Sequence, residues 1–307
     1  MDPQRCEIIT DVVQGLYVCL ETLSDPGEGA VVQTPIYPPF LQAVPETGRR
    51  LVENPLVQGS AGFEIDFDAL GRDVDASTRL LLLCSPHNPT GRVFHRQELE
   101  TLAELAIERD LIVVTDEIHG DLVFGGREHI PFASLAPEVA TRTVTLTSAT
   151  KAFNIPGLRC AVAHFGSQAL QERYNALPRH IGGGIGLLGL YATIAAWRES
   201  QPWLDEVRSY LEANRDFVAQ DLGKRLPEIV FHPPEATYLG WLDCSALELS
   251  PTPGSVFLRR GKVALSDGRY FGAGFENFAR INFATSRAIL TQVLERMESA
   301  VRSGAAG

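Results

Sequence analysis

Through the first two-thirds of the chain, short runs of β-branched and leucine-rich residues alternate with amphipathic stretches, the pattern of a sheet with helices on its faces. Residues 30–33, 79–84, 111–115, 143–147 and 160–165 read as strands. Between two of them, Leu99, Leu102, Ala103 and Ala106 recur at helical spacing inside a charged segment. Strand, helix and strand then make a crossover unit, which predicts a mostly parallel sheet. Near the start, Val12, Val13, Leu16, Leu20 and Leu23 mark a helix directly after the apolar pair Ile8-Ile9, so its N-terminus sits at a strand end. From Leu187 to about Leu226 the pattern is helical, with Trp197, Trp203, Leu204 and Leu211 on its apolar faces; Pro202 interrupts it and Pro227 closes it. Strands over 237–242 and 279–283, separated by a turn-rich region, precede a closing helix over 286–301 and a tail, 303–307, expected to fray. The length predicts two units, a large one over 1–212 and a smaller one over 213–307.

The 27 Lys and Arg against 38 Asp and Glu give a formal charge of −11, which disfavours a nucleic-acid or anionic-membrane partner and favours a small-molecule substrate. The five cysteines are scattered without a Cys-x-x-Cys pair, so neither a disulfide framework nor a metal site is expected. No apolar run approaches the roughly 18 residues of a membrane span, and the start lacks a basic region followed by an apolar stretch. A cytoplasmic protein is the expectation.

Four polar features fall at the ends of these strands, where ligands gather in open α/β sheets. The first is Ser85-Pro86-His87-Asn88-Pro89-Thr90-Gly91-Arg92, whose prolines fix a loop that presents Asn88; alone it is ordinary turn chemistry. The second is Thr115-Asp116-Glu117-Ile118-His119, in which Asp116 alone would read as a helix N-cap. The third is Thr147-Ser148-Ala149-Thr150-Lys151, with Arg159 eight residues beyond a lysine that by itself would be a solvated surface residue. The fourth is Arg280 among the strand-type residues Phe278 to Phe283, where a guanidinium must pair with a carboxylate or bind one. Neither Gly-x-Gly-x-x-Gly nor a Walker-type loop is present, which leaves a generic nucleotide-binding protein without support.

Asn-Pro-Thr-Gly, Asp-Glu, Ser-x-x-Lys with its later arginine, and a strand arginine in this order resemble the fold type I pyridoxal-phosphate (PLP) enzymes, class I and II aminotransferase-like, over nearly the whole chain. Within that superfamily Asp116 to Leu122, Tyr238 to Asp243 and Gly261 to Ser266 are similar to the carbon–sulfur β-lyase branch of MalY/PatB type. The resemblance implies an α/β fold with a mostly parallel seven-stranded sheet, flanking helices and a smaller C-terminal α+β domain, the large domain binding PLP. It implies that Lys151 carries the cofactor covalently and then takes the substrate α-proton, that Asp116 pairs with the pyridinium nitrogen, and that Asn88 hydrogen-bonds the phenolic oxygen. It matches Tyr37 to the aromatic stacked on the ring, although a core tyrosine is nearly as good a reading. Ser148, Arg159 and the helix start at Asp11, Val12 and Val13 match phosphate contacts. Many relatives have glycine where Asp11 stands, and a carboxylate facing a phosphate is repulsive, so Asp11 is expected to turn away. Arg280 matches the residue that binds the substrate carboxylate, and His119 stands where aminotransferases have a tyrosine, a change typical of the lyase branch.

The implied activity is α,β-elimination from cystathionine or another cysteine S-conjugate. The alternatives are an aminotransferase, which would use the same Lys151, Asp116 and Arg280, and a non-catalytic regulator, which would have no physical need for all three. Fold type I sites form between protomers, so a homodimer with its active site at the interface is implied. Relatives also carry several dozen residues before the point where the match begins, including a segment that covers the substrate, so without them substrate closure would suffer. The glycine-rich stretch His180 to Gly186 has no assigned role.

Overall fold

Along the chain run strands β1 (Cys6–Ile9), β2 (Gly29–Thr34), β3 (Arg50–Pro55), β4 (Val57–Gly59), β5 (Gly62–Glu64), β6 (Thr78–Cys84) and β7 (Ile112–Asp116). They are followed by β8 (Thr143–Thr147), β9 (Ala161–Phe165), β10 (Val230–Phe231), β11 (Leu239–Asp243), β12 (Ser266–Asp267) and β13 (Phe278–Asn282). The computed structural model describes residues 2–59 and 62–302, so the tail expected to fray lies outside the described residues.

Seven strands form the main sheet in the order β1-β9-β8-β7-β6-β2-β3. From β8 to β3 the neighbours are parallel, while β9 runs antiparallel to both β8 and β1. Parallel strands covered on both faces must be apolar at consecutive positions, and Leu80, Leu81, Leu82 and Leu83 of β6 are all fully buried. Alternation then divides them. Leu80 and Leu82 pack with Leu16, Leu20 and Leu23 of the Val12–Leu23 helix on one face. Leu81 and Leu83 pack with Leu99, Leu102 and Ala106 of the Arg96–Glu108 helix on the other.

A second, antiparallel sheet in the order β10-β11-β13-β12 follows. Its core joins the Gln201–Arg225 and Arg287–Arg302 helices through Leu211, Val218, Leu222, Leu290, Leu294 and Met297. The helical stretch expected from Leu187 onward is two helices, Leu187–Glu199 and Gln201–Arg225, with Pro202 in the first turn of the second, where its missing N–H costs nothing. That second helix runs unbroken past residue 212. No helix among the described residues is long and apolar enough to cross a membrane.

Candidate active site

Because β6, β7 and β8 are parallel neighbours, their carboxyl ends open on one edge and deliver the loops after Cys84, Asp116 and Thr147 side by side. The small sheet faces that edge across a cavity of about 840 Å³. Lys151, Asp116, Asn88, His119 and Tyr37 line it from the large sheet's side, and Arg280 from β13. Asp11, Val12, Val13 and Arg159 line it at the start of the Val12–Leu23 helix.

Lys151 stands on the one-turn helix Ala149–Ala152. Ser148 caps that turn: its hydroxyl accepts from the Thr150 N–H at 3.1 Å and donates to the Cys160 carbonyl at 2.6 Å. Ser148, expected as a phosphate contact, is buried with its hydroxyl engaged by these two partners. Thr150, two residues on, lines the cavity.

Asp116 is the last residue of β7 and initiates a turn rather than capping a helix, its carboxylate accepting from the Ile118 N–H at 3.0 Å. Burial pushes its carboxyl up to about 6 against the pull of that N–H and of the Lys151 charge, with Glu117 adding to the rise. Glu117 is directed elsewhere, paired with His129 at 3.0 Å and accepting from the Phe132 N–H at 3.0 Å. A carboxyl raised in the folded protein holds a proton that the unfolded chain has released. Its contribution is therefore full below the ordinary value of 3.8 and lost as pH rises through about 6. For the cofactor-free protein this amounts to about 3 kcal/mol. Denaturant unfolding at pH 4 and pH 7 is expected to show that loss in the wild type but not in Asp116→Asn; identical pH dependence in the two would refute the assignment.

His119 is buried, and that burial, together with the Lys151 and Arg280 charges, pulls its imidazole down to about 3. It is neutral at physiological pH. Its ring meets Tyr238 edge-on at 5.8 Å, and its buried Nδ1 has no hydrogen-bond partner in the protein. Leaving that nitrogen unpaired costs free energy.

Arg280 has no carboxylate partner among the described residues, which removes the salt-bridge reading. Its Nη1 donates to Asn88 Oδ1 at 2.7 Å, its Nη2 to Ser266 Oγ at 3.2 Å, and its guanidinium lies 4.8 Å from the Phe271 ring centre. With Oδ1 engaged, the Asn88 amide has its Nδ2 hydrogens to donate. Burial lowers the Arg280 guanidinium from its ordinary value, as expected of a cation held without a counter-ion.

Asp11 does not turn away. It is the N-cap of the Val12–Leu23 helix, accepting from the Gln14 N–H at 2.8 Å, and its other oxygen pairs with Arg159. The arginine supplies its counter-charge. Tyr238, Asn282, Gln14 and Tyr17 also line the cavity without having been singled out for a role. Tyr238 lies within a quoted motif, but nothing along the chain shows that it faces His119.

The comparisons with known proteins follow the same geometry. The family model "Aminotransferase class I and II" matches residues 8–297. Cystathionine beta-lyase PatB of Bacillus subtilis (strain 168) is 37% identical over 304 residues, which cover 98% of this chain and 79% of that protein. Cystathionine beta-lyase of Corynebacterium glutamicum is 34% identical, covering 97% and 78% respectively. Among solved structures, cystalysin from Treponema denticola, which contains a pyridoxal 5'-phosphate cofactor, superposes with a TM-score of 0.94 at 30% identity over 98% of this chain and 77% of its own. The PLP-bound C-S lyase from Staphylococcus hominis does so with a TM-score of 0.93 at 31% identity, over 98% and 79%. Sequence and backbone thus agree along almost the full length, and the chain belongs to the class I and II aminotransferase family.

Proposed function

We propose that this chain is a PLP-dependent carbon–sulfur β-lyase. It would act by α,β-elimination on cystathionine or another cysteine S-conjugate, consuming water and giving a thiol, pyruvate and ammonia. The observation that carries the reading is the convergence of Lys151, Asp116 and Arg280 on one cavity. The donor set fits PLP: an amine for its aldehyde, a carboxylate for its ring nitrogen, an amide N–H for its phenolic oxygen, and helix N–H groups with an arginine for its phosphate. When bound, PLP supplies an electron sink for the pair left by the α-proton.

The chain's own residues do the rest. Lys151 holds the cofactor and, once the substrate amine has taken its place, receives the α-proton on Nζ. Asp116, ionised by a protonated ring nitrogen, keeps that proton in place, so cofactor loading would offset the cost of burying its charge. Asn88 would donate from Nδ2 to the phenolic oxygen while Arg280 holds its Oδ1. Tyr37 would stack on the ring, and the Val12 and Val13 N–H groups with Arg159 would receive the phosphate. Arg280 would take the substrate carboxylate in its fork.

We place the protein in the cytoplasm as a homodimer. Five free cysteines support a reducing compartment, and Leu187, Leu188 and Tyr191, 66%, 75% and 63% exposed on one helix, support a buried self-contact. Purified protein loaded with PLP is expected to release thiol and pyruvate in equal amounts from cystathionine and to sediment as a dimer. Amino transfer to a keto acid without thiol release would instead make it an aminotransferase.

A further inference from the structure

The start of the Val12–Leu23 helix carries a contact that the proposed cofactor role does not use and in fact opposes. A helix N-terminus concentrates unpaired N–H groups and positive potential, the ordinary seat of a phosphate. Here the chain supplies an anion of its own. One Asp11 oxygen takes the Gln14 N–H, the other takes the Arg159 guanidinium, and all three residues line the cavity that holds Lys151 and Asp116. Gln14 is itself held, its Oε1 accepting from Thr10 N–H and hydroxyl and its Nε2 donating to the Gly182 carbonyl, so the arrangement is a built one.

We propose that Asp11 is an internal substitute for the cofactor phosphate, which keeps Arg159 and the helix N-terminus satisfied in the empty site and weakens cofactor retention in the loaded one. The inference rests on the PLP reading above. The Arg159 side chain is 66% exposed and that of Asp11 35%, so their ion pair contributes little and can be exchanged. A dianionic phosphate entering the same place gains Arg159 only by taking it from Asp11, and it then sits beside an uncompensated carboxylate. Both effects act in one direction, toward an enzyme that releases its cofactor readily and whose loading follows the supply of free PLP.

The test is a PLP titration, read by absorbance and by thermal shift, on the purified full chain, on Asp11→Asn and on Asp11→Gly. Asparagine and glycine are both good N-caps, so each variant keeps the helix start, the glycine at a cost of only a few tenths of a kcal/mol. Asp11→Asn is expected to bind PLP about tenfold more tightly at low salt, with the gain shrinking as salt rises. Arg159→Ala is expected to weaken binding more in the Asp11→Asn background than in the wild type, because there the arginine is no longer shared. Inorganic phosphate alone, used as a stabilising ligand, is expected to protect Asp11→Asn more than wild type. Unchanged or weaker PLP binding in both Asp11 variants would overturn this inference while leaving the cofactor reading in place. Absence of PLP binding in every variant would overturn both.

Discussion

Lys151→Ala is expected to lower kcat/KM for thiol release by about 10⁴-fold or more, a barrier increase of at least about 5 kcal/mol. Two roles fall on one amine: it would anchor the cofactor and then accept the α-proton, so its loss removes covalent retention and the base together. The variant should fold, because Lys151 is only partly buried and its one-turn helix is capped by Ser148 rather than by the lysine itself. Its absorption spectrum with PLP should lose the visible band of the lysine-bound cofactor and show that of the free aldehyde. A variant that retained both the band and the activity would move the anchor to another residue.

Arg280→Ala should act on the substrate instead. A bidentate, partly desolvated guanidinium–carboxylate contact is worth several kcal/mol when one side is truncated, so kcat/KM should fall about 10²–10³-fold, mainly through KM. Arg280→Lys should recover only a small part, because an ammonium lacks the planar fork that spans both carboxylate oxygens. The alanine variant also leaves Asn88 Oδ1 without its donor, so a modest change in the cofactor spectrum is expected alongside the kinetic loss. Unaltered kinetics in Arg280→Ala would mean that the carboxylate is bound elsewhere.

The strands nearest the site were the most legible part of the sequence. β6 and β7 are covered on both faces, so each reads as an apolar run whose end can be located within a residue or two, while β8 is marked by β-branched Thr and Val with Leu146. β3 was not legible: it pairs with one neighbour only, carries Arg50 and Glu53, and ends on Pro55, so no run and no clean alternation marks it. The Pro38–Glu46 helix was hidden by its own prolines, two in the first turn and Pro45 inside, residues that otherwise punctuate loops. For the site, Lys151, Asp116, Asn88 and Arg280 each read as ordinary when taken alone, and it is their order along the chain, through the family resemblance, that singles them out. What could not be read was how their neighbours are engaged. Ser148 is turned inward by a carbonyl twelve residues away and Asp11 is drawn in by an arginine 148 residues away, and no local pattern encodes either contact.

The cavity lies on a seam, with its amine and ring-binding groups on one sheet and its guanidinium on the other. Under the proposed roles the grip on the cofactor would come mainly from the first sheet and the grip on the substrate carboxylate from the second. A small shift of the second sheet would carry the fork out of line with the lysine, and of the cofactor's contacts it would disturb first the Asn88 amide that Arg280 holds. Heat or distant substitutions that loosen the C-terminal part should first give a protein that keeps its yellow colour yet no longer holds amino acids, with bleaching only at a later stage.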